Sequence, residues 1–189
     1  MHHCSIVTVV AGVGLLAATA GSVFSQPPSA RDVLERFCDL DAQGKQLTPA
    51  GWRTVAALFA TPGAPRRDEI IVVKDFVVSH PALEKGKAEF YVEYVQLGRI
   101  DPPQARFSRL PQMKVRAGFY VIKQPGPGVA DGSDRAEKPG EWRIEGSPPE
   151  PHLTVDAAIR YATRLLASAG DDAIKRNARQ TLSALKRLR

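Results

Sequence analysis

The chain has 189 residues, 43% hydrophobic and 24% charged, with a formal net charge of +6, which excludes a disordered polyelectrolyte and a collagen-like repeat. Fifteen prolines, all beyond residue 26, exclude a continuous helical bundle or coiled coil and predict long, stiff connections. No metal-ligand cluster, phosphate loop, nucleophile elbow or dinucleotide fingerprint occurs, so the motifs name no activity, no metal and no cofactor.

Residues 6–20 (IVTVVAGVGLLAATA) are an uncharged apolar run followed by small residues, the pattern of a secretory signal occupying residues 1–25. The expected location is the periplasm or the exterior. A retained N-terminal membrane anchor is the alternative, because Met1-His2-His3-Cys4 carries no Lys or Arg and the stretch from Cys4 to Ser25 just reaches across a bilayer. Cleavage would leave Cys38 as the only cysteine and exclude an intramolecular disulfide. Cys38 falls beside Leu34 and Phe37, where a thiol behaves as a small buried hydrophobe.

The body of the protein then reads as one domain over residues 29–169. Ser29 and Asp32 match a capping box, and Val33, Leu34, Phe37 and Cys38 recur at helical spacing, predicting a helix over 30–43. Thr48-Pro49 starts a second helix, with Trp52, Val55, Ala56 and Phe59 on one face, until Thr61-Pro62-Gly63 stops it. Residues 69–79 (EIIVVKDFVVS) are apolar on both faces, as in a covered strand. Residues 88–97 alternate, with Phe90, Val92 and Tyr94 on one face and Glu89, Tyr91 and Glu93 on the other. Strands over 116–123 and 141–145 complete a set of four, all antiparallel where the connections are short. Two segments, 101–115 and 124–140, read as long connections. Thr154 caps a third helix that ends near Gly170, and residues 170–189 form a last, basic helix.

Charge is distributed unevenly. Residues 153–189 carry eight basic and three acidic side chains, net +5, whereas residues 26–152 are nearly balanced. Such cations near a helix C-terminus read first as a solvated face that the helix dipole favours. As a contact surface, with export expected, they suit an anionic envelope surface or an acidic protein, not nucleic acid, and Arg176, Arg179, Lys186 and Arg187 are the candidate contacts.

A helical hairpin followed by strands, the last reading Gly140-Glu141-Trp142-Arg143-Ile144, resembles the nuclear transport factor two-like superfamily of ketosteroid isomerases, scytalone dehydratase and polyketide cyclases. The resemblance spans residues 29–146. It implies an α+β fold in which an N-terminal helical hairpin packs on a curved, cone-like antiparallel sheet of about four strands. The C-terminal helices of residues 154–189 follow and depart from the simplest family pattern, which ends on the sheet. It also implies an apolar pocket, and in the enzymes an Asp or a His–Asp pair with tyrosine donors. The matching residue types here are Asp41, Asp75, Tyr94 and Tyr120, which with Gln96 and Trp142 form the candidate pocket. His80 and His152, each beside a proline, read as structural turn residues. Two functions follow as expectations: a non-enzymatic module holding a small apolar or amphipathic ligand, or a cofactor-independent isomerase, dehydratase or cyclase.

Overall fold

The computed structural model describes residues 27–79, 82–125 and 140–189. The signal-like run 1–25, His80 and most of the 124–140 connection therefore lie outside the described residues. Within them are four helices, α1 (Ala30–Ala42), α2 (Pro49–Ala56), α3 (Val155–Ser168) and α4 (Asp172–Lys186). Six strands accompany them: β1 (Ile70–Val78), β2 (Ala82–Glu84), β3 (Lys87–Asp101), β4 (Arg106–Gln124), β5 (Glu141–Ile144) and β6 (His152–Thr154). The result is a mixed α/β fold built on a strongly curled sheet, half a barrel in form.

Helix α1 begins where the sequence signals it. The Ser29 hydroxyl accepts from Asp32 N–H at 3.2 Å and the Asp32 carboxylate accepts from Ser29 N–H at 2.7 Å, a reciprocal cap worth about 1 kcal/mol. Donation from the Ser29 N–H and from the Ser29 hydroxyl holds the Asp32 carboxyl below the usual carboxylate range. The chain leaves α1 through Gly44, whose φ of +78° is the left-handed region that glycine enters without a steric penalty. Thr48 then caps α2, accepting from Gly51 N–H, with Pro49 in the first turn.

The sheet runs β5-β4-β3-β1-β6, with β2 paired to β3. Neighbours are antiparallel except β1 and β6, which are parallel through Ile71–His152, Val72–Leu153 and Val73–Thr154. The expectation of an all-antiparallel sheet of about four strands is corrected here. β6 is three residues long, too short for periodicity to reveal, and its partner lies some eighty residues earlier. The 101–115 connection is also corrected. Residues 106–115 are strand, and only a tight turn over 102–105 joins β3 to β4. Pro111 disguised the strand, but it sits where the β3–β4 register slips, on a stretch of β4 with no strand on its other side among the described residues. Bulges and edges are the places a sheet tolerates proline.

Those register slips organise the core. β1 slips against β3 on either side of Val73, β3 slips at Leu97, and β4 slips between Arg109 and Met113. Side chains exchange faces across this line. Val92 and Tyr94 pack with α1 and α2, whereas Ile100, of the same parity on the same strand, packs with α3 and α4. Likewise Ile70 and Val72 join the second cluster while Ile71, Val73 and Val78 join the first. β1 is thus covered on both faces at its start, as its composition predicts, and bulges bend the sheet where they align.

α4 belongs to this packing. Ala178, Thr181 and Leu185 are buried. The Thr181 hydroxyl accepts from Phe107 N–H at 2.9 Å and donates to Ala105 C=O at 2.8 Å. Asn177 donates to Gln104 C=O at 2.9 Å. The helix therefore clamps the β3–β4 turn, in which Ala105 takes a φ of +52°.

Candidate functional site

The residues proposed for a pocket do not gather in one place. Asp75 is exposed on β1, and Tyr120 is exposed on β4 with the Lys87 ammonium 4.1 Å above its ring. Neither meets the others. Gln96 is buried at the β3 slip. Asp41 and Tyr94 are fully buried and come together through a residue that sequence reasoning set aside.

That residue is His152. It lies in β6, not in a turn, and parallel pairing with β1 carries it inside. Its ring stacks on Tyr94 with centroids 4.0 Å apart and planes 14° from parallel. Its backbone N–H donates to both Asp41 carboxylate oxygens, at 3.1 and 3.2 Å, and Nδ1 stands 3.4 Å from Oδ2. The Gln46 amide donates to Asp41 Oδ1 at 2.7 Å, and the Tyr94 hydroxyl lies 4.0 Å from the Cys38 sulfur. Cys38, Asp41, Gln46, Tyr94 and His152 therefore form a polar cluster between α1, β3 and β6. No local signal marks His152, since one histidine beside a proline acquires its meaning from a strand pairing.

Burial governs the chemistry of this cluster. It pushes the Asp41 carboxyl above its usual range, against the pull of the His152 ring, the His152 N–H and the Gln46 amide. It pushes the Cys38 thiol up to about 12 and raises the Tyr94 hydroxyl as well. The thiol is therefore inert, as its apolar surroundings predict. Two buried polar atoms, His152 Nδ1 and Gln46 Oε1, make no hydrogen bond among the described residues.

Trp142 sits elsewhere, in a cleft of about 560 Å³ between the start of α1, the end of α2 and the edge strand β5. Val33, Leu58 and Trp142 supply apolar wall, and Arg36, Lys123 and Arg143 bring positive charge. β5 is fixed there because Ile144 exchanges backbone bonds with Leu58 and Ala60 just after α2 (2.8 Å each). Arg143 pairs with Glu141 at 2.6 Å, while Arg36 and Lys123 have no ion pair among the described residues. None of the five residues of the polar cluster lines the cleft.

The predicted anionic contacts Arg176, Arg179, Lys186 and Arg187 are all exposed, on or just beyond α4. Among the described residues no group of three or more His, Cys, Asp or Glu converges as a metal site, and no helix is long and apolar enough to cross a membrane. Comparisons with family models, with curated proteins and with solved structures find no match to this chain.

Proposed function

We propose that this is an exported, non-enzymatic module that binds a small apolar or amphipathic ligand in the cleft at Trp142. A hairpin of α1 and α2 on the curled sheet is the nuclear transport factor two-like element of this reading. The observation that carries it is the cleft itself. About 560 Å³ falls within the range of small-molecule sites, and an apolar wall of Val33, Leu58 and Trp142 beside Arg36 and Lys123, which have no ion pair among the described residues, suits an apolar body with an acidic end. Titration with 8-anilinonaphthalene-1-sulfonate tests it: saturable binding that decanoate displaces and Leu58→Glu abolishes supports the reading. Absent saturation, or binding indifferent to Leu58→Glu, rejects it. Export rests on the apolar run 6–20, with a retained membrane anchor as its alternative. N-terminal sequencing of protein from the periplasm or medium tests it, expecting a start near residue 26.

A second reading, a cofactor-independent isomerase, dehydratase or cyclase, draws on the juxtaposition of Asp41, His152 and Tyr94. Proton abstraction beside a carbonyl needs a base and an oxyanion donor facing one substrate atom. These groups face one another instead, nearly sealed from solvent and away from the cleft. Deuterium exchange into a small enolisable ketone, abolished by Asp41→Asn, would replace the binding reading with this one.

A further inference from the structure

We infer that the crease where the sheet changes faces, on its α3–α4 side, is a second binding site that recognises a phosphate group. Each of the three slipping strands contributes to a groove of about 640 Å³: Lys74 from the β1 irregularity, Leu97 from β3, and Arg109 and Gln112 from either side of Pro111 on β4. The first turn of α3, through Thr154, Val155 and Asp156, faces residues 187–189 beyond α4 across it. Bulges re-aim side chains, and here three of them send Lys74 and Arg109 to one place.

The electrostatics are one-sided. Asp156 is the groove's one carboxylate side chain among the lining residues, and it is taken by Arg189 at 3.1 Å. Lys74, Arg109 and Arg187 have no ion pair among the described residues. Three uncompensated cations from three separate chain segments repel one another, and a dianion placed between them removes that repulsion. Two guanidiniums present forked donors that match phosphate oxygens, with Lys74 as a point charge. The volume exceeds what a phosphate alone needs, so the phosphate is carried by a larger group, either a soluble ester or a lipid headgroup. This site is separate from the Trp142 cleft and does not rest on the reading of that cleft.

Calorimetric titration of the processed protein with inorganic pyrophosphate at low salt tests the inference. The expected result is saturable one-to-one binding that Arg109→Gln or Arg187→Gln weakens about tenfold, since each removes a charge-assisted contact. Asp156→Asn, which removes the opposing carboxylate, tightens it by about twofold or more. All three positions are exposed, so melting temperatures stay unchanged. If either Arg variant melts lower, Lys74→Gln replaces it. No saturable binding, or binding lost instead in the Arg176→Gln/Arg179→Gln double variant, overturns the inference. Phosphatidylglycerol vesicles distinguish the source. Vesicle binding that pyrophosphate displaces and Arg109→Gln abolishes assigns a lipid headgroup, and pyrophosphate binding without vesicle binding assigns a soluble ester. Vesicle binding that survives both challenges places the contact outside the crease and overturns the inference.

Discussion

The imidazole of His152 lies flat on the phenol ring of Tyr94, 4.0 Å between centroids, and thereby joins the last strand of the sheet to the middle of its longest meander. The same histidine's backbone N–H holds the Asp41 carboxylate of α1. One three-residue strand thus ties α1, β1 and β3 together. His152→Ala removes the stack while keeping the backbone bond, and should cost about 2–3 kcal/mol from lost packing and ring contact. Urea unfolding monitored by circular dichroism checks this. A change below about 0.5 kcal/mol, the size of an ordinary surface substitution, would mean the stack contributes nothing.

Asp41 predicts a pH dependence with a definite sign. Folding raises its pKa above the ordinary value of 3.8. Its contribution to stability is therefore fully present below that value and lost as pH rises through the folded-state pKa. Asp41→Asn removes the ionisation while retaining one acceptor. The stability of the Asn variant relative to wild type should rise between pH 4 and pH 8, and taking the difference cancels the other carboxylates. A pH-independent difference in urea midpoints contradicts the assignment.

Cys38 should be almost silent toward thiol reagents. With its pKa near 12 against an ordinary 9.0, the thiolate fraction at pH 8 falls roughly a thousandfold, and the sulfur is also buried. In a Cys4→Ser background the native protein should react with Ellman's reagent at least about a thousandfold more slowly than the urea-unfolded chain. Comparable rates would show that the α1–β3 interface opens readily.

Thr181 should matter more than any cation on α4. Thr181→Val strands the Phe107 N–H and the Ala105 C=O together, a loss of about 2–4 kcal/mol. Asn177→Ala, which removes one exposed bond to Gln104, should stay below about 1 kcal/mol. Hydrogen exchange at the Phe107 amide reports the difference directly, accelerating in the Val variant only.

Truncation of residues 171–189 should lower the melting temperature strongly, because it uncovers the cluster of Ile70, Val72 and Ile100 into which Leu185 packs. Each such side chain returns about 1.5–3 kcal/mol of burial. The Arg176→Gln/Arg179→Gln double variant, confined to exposed positions, should melt as wild type does. Equal behaviour of the two proteins would mean that α4 is an appendage.

Where structure is local, the amino-acid sequence was enough. The Ser29–Asp32 box, the Thr48-Pro49 start and the Thr154 cap bring their own hydrogen-bond partners within three or four residues, so the helix beginnings could be read directly. The two-sided apolarity of β1 and the alternation of β3 were likewise legible, because strand periodicity records which faces are dry. Trp142, Asp41 and Tyr94 read alike as pocket candidates, and nothing local showed that Trp142 lies apart from the other two. Tertiary structure alone decided the rest. β6 exists because β1 offers it an edge, and the strand over 106–115 because β3 extends to meet it. The histidine is buried because that pairing draws it in. The crease arises where slips in three strands coincide, each visible only once the partners are side by side. Periodicity reports a residue's own environment averaged along its element, whereas register and convergence are properties of pairs distant in the chain, and no single segment encodes them.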